Sequence, residues 1–180
     1  LDKEAQERAL DGVDALISPL PDCCLAISTA DCIPILLYDP DNRVTAAVHA
    51  GWRGTVKGIA TATLKAMQER YGCSGSKMHA AIGPGISVGA FEVGDEVYSQ
   101  FQQAGFDMQR IALKQEKWHI DLWEANRMQL MEWGIRPEAI ETAGICTYTH
   151  SDTFFSARKA GIRSGRILSG IIRRQDQNAP

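Results

Sequence analysis

Two apolar runs, 33–38 and 44–49, flank the turn string Asp39-Pro40-Asp41-Asn42 and constrain the fold more than any other feature of the chain. Proline presets the backbone torsion of the second turn position, so the segment is expected to be an antiparallel hairpin. A hairpin decides which side chains meet, because alternate residues point to opposite faces of a sheet. With the turn centred between Pro40 and Asp41, paired residues have numbers summing to 81, which sets Cys32 opposite His49. Opposed residues on one face have Cβ atoms about 4.5–5.5 Å apart, close enough to share a proton or a metal. Moving the centre by one residue keeps the two on one face as diagonal neighbours, whereas half a residue puts them on opposite faces.

Around this hairpin, residues 24–28 read as a further strand after the turn signal Ser18-Pro19-Leu20-Pro21. Residues 2–10 are polar and read as a frayed helix or loop. Apolar residues at three- and four-residue steps predict a helix over 55–71, stopped by Gly72, which places Gly51-Trp52-Arg53-Gly54 at a helix start. Residues 78–82 read as a strand ending in Gly83-Pro84-Gly85, and 93–103 as a helix. Asp121 with Glu124 makes a capping arrangement for a helix that ends at Gly134. Residues 140–148 and 165–172 read as strands. Strand pairs and single helices mix without regular alternation, which favours α+β over a doubly wound parallel sheet.

The 180 residues, 44% hydrophobic and 23% charged, fit one domain able to bury a substantial core. A net charge of -3 offers no global positive field for nucleic acid or anionic membrane, so small-molecule chemistry is the expectation. Five cysteines in irregular spacing, without CxxC pairs, support neither a disulfide framework nor a zinc ribbon and suggest a reducing cytoplasm. No apolar run approaches the roughly 20 residues of a membrane span.

Three chemistries fit Cys32 with His49: a histidine-activated cysteine nucleophile, a zinc site completed by a further histidine, or a copper site supporting oxidation. Beside them, Arg53 at a helix start offers a guanidinium and unpaired N-H groups suited to phosphate or carboxylate. Trp52 could stack on an aromatic substrate. The glycines around Gly83 would allow close backbone approach to a ligand, and Phe154-Phe155-Ser156-Ala157-Arg158-Lys159 sets a second cationic cluster after an aromatic pair. His79, His119 and His150 stand isolated and read as ordinary surface or strand residues.

Taken in order, Thr29-Ala30-Asp31-Cys32, His49-Ala50-Gly51-Trp52-Arg53-Gly54, Ile82-Gly83-Pro84-Gly85-Ile86, Phe91-Glu92-Val93-Gly94, Cys146-Thr147-Tyr148 and Phe154-Phe155-Ser156 with Arg158 carry a resemblance. The chain resembles the bacterial laccase-domain proteins, also called the multicopper polyphenol oxidase family, many described as purine nucleoside phosphorylases. The resemblance runs from about residue 12 to 172. It implies an α+β fold of layered mixed β-sheets flanked by helices, of α/β/β/α type, in a single domain over 1–180 that lacks its N-terminal segment. It also implies a metal, zinc or alternatively copper, held by one cysteine and two histidines. Cys32 matches the cysteine ligand and His49 the second histidine. The first histidine belongs to a Gln-x-His-Gly segment upstream of the residues matching Asp11-Gly12-Val13-Asp14, hence upstream of Leu1. Ala157 departs from the Tyr that relatives often carry in a Phe-Phe-Ser-Tyr-Arg string.

The activity implied is phosphorolysis of adenosine and inosine, with adenosine deamination and methylthioadenosine cleavage alongside, in the cytoplasm. Cys32, His49 and Arg53 are then the catalytic candidates, and Trp52, Arg53, Gly83 and Arg158 the candidates for holding purine nucleoside and phosphate. Copper-dependent phenol oxidation is the alternative, although four histidines without a dense His-x-His pattern suit several coppers poorly. A metal-free Cys/His hydrolase and a non-catalytic binding module are the remaining readings.

Overall fold

The computed structural model describes residues 10–161 and 163–175, so the polar stretch 2–10 lies outside it apart from Leu10. The central hairpin forms as β3 (Ile33–Asp39) and β4 (Val44–Ala50), with Pro34 facing His49 and Asp39 facing Val44. Partners therefore sum to 83, one residue-step from the expected centre, because four residues loop out rather than two. Arg43 makes the longer loop possible by adopting the left-handed conformation, φ 56°. Asp39 reinforces it, accepting hydrogen bonds from the Asn42 N-H at 2.9 Å and the Asn42 side chain at 3.1 Å.

The hairpin is the middle of a five-stranded sheet. β1 (Ala15–Ser18) pairs with β4, while β5 (His79–Ile82) pairs with β3 and carries β9 (Ile140–Thr142), giving the order β1-β4-β3-β5-β9. All its pairs are antiparallel except β5 with β9. A second sheet, β2 (Cys24–Thr29) with β10 (Ile167–Ile172), is a two-stranded ribbon. β6 (Glu92–Val93), β7 (Ala112–Lys114) and β8 (Trp118–Ile120) form a third small sheet in the order β6-β8-β7.

Alternation along the hairpin separates two cores. Ile33, Ile35 and Leu37 of β3 and Val44, Ala46, Val48 and Ala50 of β4 join the main core. That core also takes Leu64 and Met67 of α2 (Ile59–Tyr71), Val97 and Phe101 of α3 (Asp95–Gln103), Ile111 of α4 (Met108–Ile111), and Leu130 of α5 (Leu122–Glu132). On the opposite face, Leu36 and Ala47 pack with Leu25, Ile27 and Ile171 of the ribbon. Each buried Ile or Leu contributes roughly 1.5–3 kcal/mol, so a one-residue slip of β3, which would turn Ile33, Ile35 and Leu37 off the core together, is strongly disfavoured. Of the α/β/β/α layers, the described residues build helices, main sheet and ribbon. The fold is mixed α+β, as expected.

Several boundaries differ from the sequence reading for local reasons. The helix expected over 55–71 starts earlier, as α1 (Trp52–Val56), and is then interrupted at Gly58, whose φ of 73° is left-handed, before α2 begins. The strand expected over 140–148 ends at Thr142, and left-handed Gly144 follows; beyond it Cys146 makes an isolated parallel bridge to Gly85. Asp121 caps α5 as expected, accepting from the Glu124 N-H at 2.9 Å. The small β6-β8-β7 sheet was not legible, since strands of two and three residues have no measurable period.

Asp39 also ties the hairpin to the end of α2. Its fully buried carboxylate accepts from the Ser74 N-H at 3.3 Å and from Cys73. Burial raises the Asp39 pKa, but the bonds from Asn42, Cys73 and Ser74 outweigh it and hold the pKa below the ordinary 3.8. Burial, with the adjacent Asp39 charge, pushes the Cys73 thiol up to about 12, so it remains a donor. A carboxylate with a depressed folded pKa stabilises the fold above its unfolded value and loses that contribution as pH falls through the folded one. Asp39→Ala is therefore expected to cost about 2–3 kcal/mol in urea unfolding at pH 7. Asp39→Asn should in addition flatten the loss of stability below about pH 4; an acid limb as steep as the parent's would contradict this role.

Candidate functional site

The site lies at the open end of the hairpin, on the sheet face that also carries Leu36 and Ala47. Cys32, one step before β3, shares this face with Pro34, and Pro34 pairs with His49. The two are thus diagonal neighbours, with Cys32 Sγ and His49 Nε2 both bordering the space beside Gly51. Gly51 occupies the position opposite Cys32. A Cβ there would stand 3.0 Å from Cys32 Sγ and 3.9 Å from His49 Nε2, so only glycine leaves the gap through which the pair meets.

His49 is held from the other side by Asp14. Its backbone N-H donates to the Asp14 carbonyl at 2.7 Å, and its ring Nδ1 lies 2.9 Å from Asp14 Oδ1. The Cys32 hydrogen bond, opposed by partial burial and assisted by Asp14, raises the His49 pKa from 6.5 to about 9. Asp14 was not singled out from the sequence. It lies 35 residues from His49 and arrives through the pairing of β1 with β4, a contact that no local pattern reports.

Asp31, the residue before Cys32, turns away from the pair. With φ at 79° it is left-handed, and its buried carboxylate accepts from Thr147 Oγ1 at 2.7 Å and from the Arg158 N-H at 2.6 Å. Its carbonyl accepts from the Ile86 N-H at 2.9 Å. Asp31 therefore clasps three segments behind Cys32 rather than facing His49.

Trp52 and Arg53 open α1 and border the same cavity, about 210 Å³, as Asp14, Cys32, His49 and Gly51. Arg53 is exposed, stacks with its Cζ 4.3 Å from the Trp52 ring centroid, and has no acidic partner among the described residues. Short as it is, α1 is fixed in place. Thr55 is fully buried and bonded to Asn126, and Gln129 Nε2 donates to the Thr55 carbonyl at 2.8 Å, so α5 sets where Arg53 starts.

The remaining candidates are held by contacts of their own. Gly83 abuts Pro34, its N-H donating to the Pro34 carbonyl at 2.9 Å, and a Cβ there would come within 2.8 Å of the proline ring. The Arg158 guanidinium donates to the Glu92 carbonyl at 3.0 Å and lies 5.4 Å from the Phe91 ring. His119 Nδ1 pairs with the Val88 carbonyl and His150 Nδ1 with the Cys146 carbonyl, while exposed His79 faces Tyr38 across the sheet. Among the described residues no three His, Cys, Asp or Glu side chains form a group able to hold a metal, so none of these histidines completes a set with Cys32 and His49. All five cysteines are free, and among the described residues no helix is long and apolar enough to cross a membrane.

A layered α+β fold with a Cys-His pair at a sheet end and an arginine on the adjoining helix defines the class. Residues 1–174 match the family of multi-copper polyphenol oxidoreductase laccases, and the chain belongs to that family. It is 55% identical over 172 residues to a purine nucleoside phosphorylase of Bacteroides thetaiotaomicron, covering 94% of this chain and 64% of that protein. It is 43% identical over 177 residues to adenosine deaminase RL5 from an unknown prokaryotic organism, covering 97% of this chain and 67% of the relative. The structure of YlmD from Geobacillus stearothermophilus superposes with a TM-score of 0.85 at 33% identity, over 91% of this chain and 62% of that one. The chain thus spans about two thirds of the length of the relatives it matches.

Separating Cys32 from His49 should be visible in the imidazole. In metal-free protein, Cys32→Ala removes the largest cause of the raised His49 pKa and is expected to bring its NMR titration from about 9 toward 6.5. Gly51→Ala should shift it in the same direction. A midpoint unmoved in both variants would contradict the contact.

Proposed function

We propose that the protein cleaves purine nucleosides with phosphate, taking adenosine and inosine to ribose 1-phosphate and the free base. The observation that carries this reading is the meeting in one small cavity of a Cys-His pair with an arginine that has no acidic partner among the described residues, in a chain whose relatives bear the names purine nucleoside phosphorylase and adenosine deaminase. Adenosine deamination and methylthioadenosine cleavage belong to the same reading.

Cys32 and His49 fit a zinc site in donor chemistry, a thiolate sulfur and an imidazole nitrogen directed at one another across the gap at Gly51. The further histidine expected upstream would complete three ligands. Zinc held there would act as a Lewis acid toward an oxygen or nitrogen of the substrate.

The chain's own residues account for the rest. Arg53, with its planar fork of donors, holds the phosphate beside the ribose. Its stacking on Trp52 fixes the guanidinium and leaves its N-H edge free. An oxygen of hydrogen phosphate then bonds to C1′ as the bond from C1′ to N9 breaks, and the proton that the phosphate gives up ends on N9 of the leaving base. Holding the anion in place lowers the entropic cost of attack and is the main contribution asked of Arg53.

Zinc-loaded protein given inosine should release hypoxanthine in phosphate buffer and stop when phosphate is replaced by a non-nucleophilic buffer. Arg53→Ala should raise the KM for phosphate at least about tenfold, roughly 1.4 kcal/mol of lost binding. No release from zinc-loaded protein would sink the phosphorylase reading, and oxygen uptake on a phenol by copper-loaded protein would favour oxidase chemistry instead.

A further inference from the structure

We propose that Asp14 is the positioning residue of the site: it fixes the His49 ring so that Nε2, and not Nδ1, is presented to Cys32 and to whatever the pair binds. The inference rests on the metal-site reading only for its consequence, since the orientation itself stands on geometry.

Three contacts define the orientation. The Asp14 carbonyl accepts the His49 backbone N-H at 2.7 Å, which anchors Asp14 to β4 beside the residue it serves. Asp14 Oδ1 then meets Nδ1 at 2.9 Å. An ionised carboxylate can only accept, so Nδ1 must carry the hydrogen. On the far side of the ring, Nε2 points toward the gap at Gly51, where Cys32 Sγ also arrives. A flipped ring would lose the carboxylate bond and aim a carbon at Asp14, so one rotamer and one donor arrangement are favoured together.

The consequence is chemical. A histidine that donates from one ring nitrogen to a carboxylate offers the lone pair of the other, and the carboxylate raises that nitrogen's basicity as a ligand. Asp14 itself does not touch the gap. Its side chain is 55% exposed, so it can be replaced without opening a core cavity. It therefore acts through His49.

The test compares Asp14→Ala with Asp14→Asn, because asparagine keeps an acceptor oxygen but no charge. In metal-free protein labelled with nitrogen-15 at histidine, the parent is expected to show a slowly exchanging His49 Nδ1 proton, retained in Asp14→Asn and lost in Asp14→Ala. Zinc affinity by chelator competition should fall roughly 10- to 100-fold in Asp14→Ala, with Asp14→Asn recovering most of it. Thermal melts of all three proteins separate this from unfolding. An Nδ1 proton still protected in Asp14→Ala overturns the proposal. A parent protein that binds no zinc would defeat the metal reading alone, because the Nδ1 signal decides the positioning role without metal.

Discussion

Everything at the candidate site depends on the parity of one strand pairing. β3 and β4 bury alternate residues against the helices, so their register can move only in steps that keep Ile33, Ile35 and Leu37 inward. That requirement sets Cys32 and His49 on the same outward face whichever permitted register forms. Burial of several aliphatic side chains, each worth roughly 1.5–3 kcal/mol, thereby enforces a contact between two polar groups that would not find each other on their own account. Asp39 then selects one register by holding the four-residue loop closed from beneath.

Around this pairing, long-range polar contacts supply the placement that apolar packing leaves loose. Asp14 fixes the imidazole from just before β1, Asp31 locks the backbone behind Cys32 to Thr147 and Arg158, and Thr55 with Gln129 fixes α1 and hence Arg53. Each joins the hairpin end to a different part of the chain. The site is thus carried at the ends of strands and on a braced helix, which suits groups that must keep a fixed separation.

What could be read from the sequence follows the same division. The hairpin, the α5 cap at Asp121 and the meeting of Cys32 with His49 were legible because they rest on local turn chemistry and a period of two. The register was off by one step because Arg43 enters the left-handed region, which a non-glycine residue does not announce. The direction of the Asp31 carboxylate was illegible for the same kind of reason, its left-handed backbone rotating it toward Thr147. Asp14 was missed because its contact depends on β1 pairing with β4 across some thirty residues. Gly83 and Arg158, read from a glycine-rich turn and a cationic cluster, are held by Pro34 and by Asp31 respectively, contacts with the segments that flank the pair.

The central claim is that Cys32 and His49 act as joint ligands at this hairpin end. X-ray absorption at the zinc edge of the zinc-loaded protein tests it most directly. The expected first shell contains one sulfur at about 2.3 Å together with imidazole nitrogen, with the sulfur lost in Cys32→Ser. A first shell of nitrogen and oxygen alone in the parent protein, or a sulfur signal that survives Cys32→Ser, would contradict it.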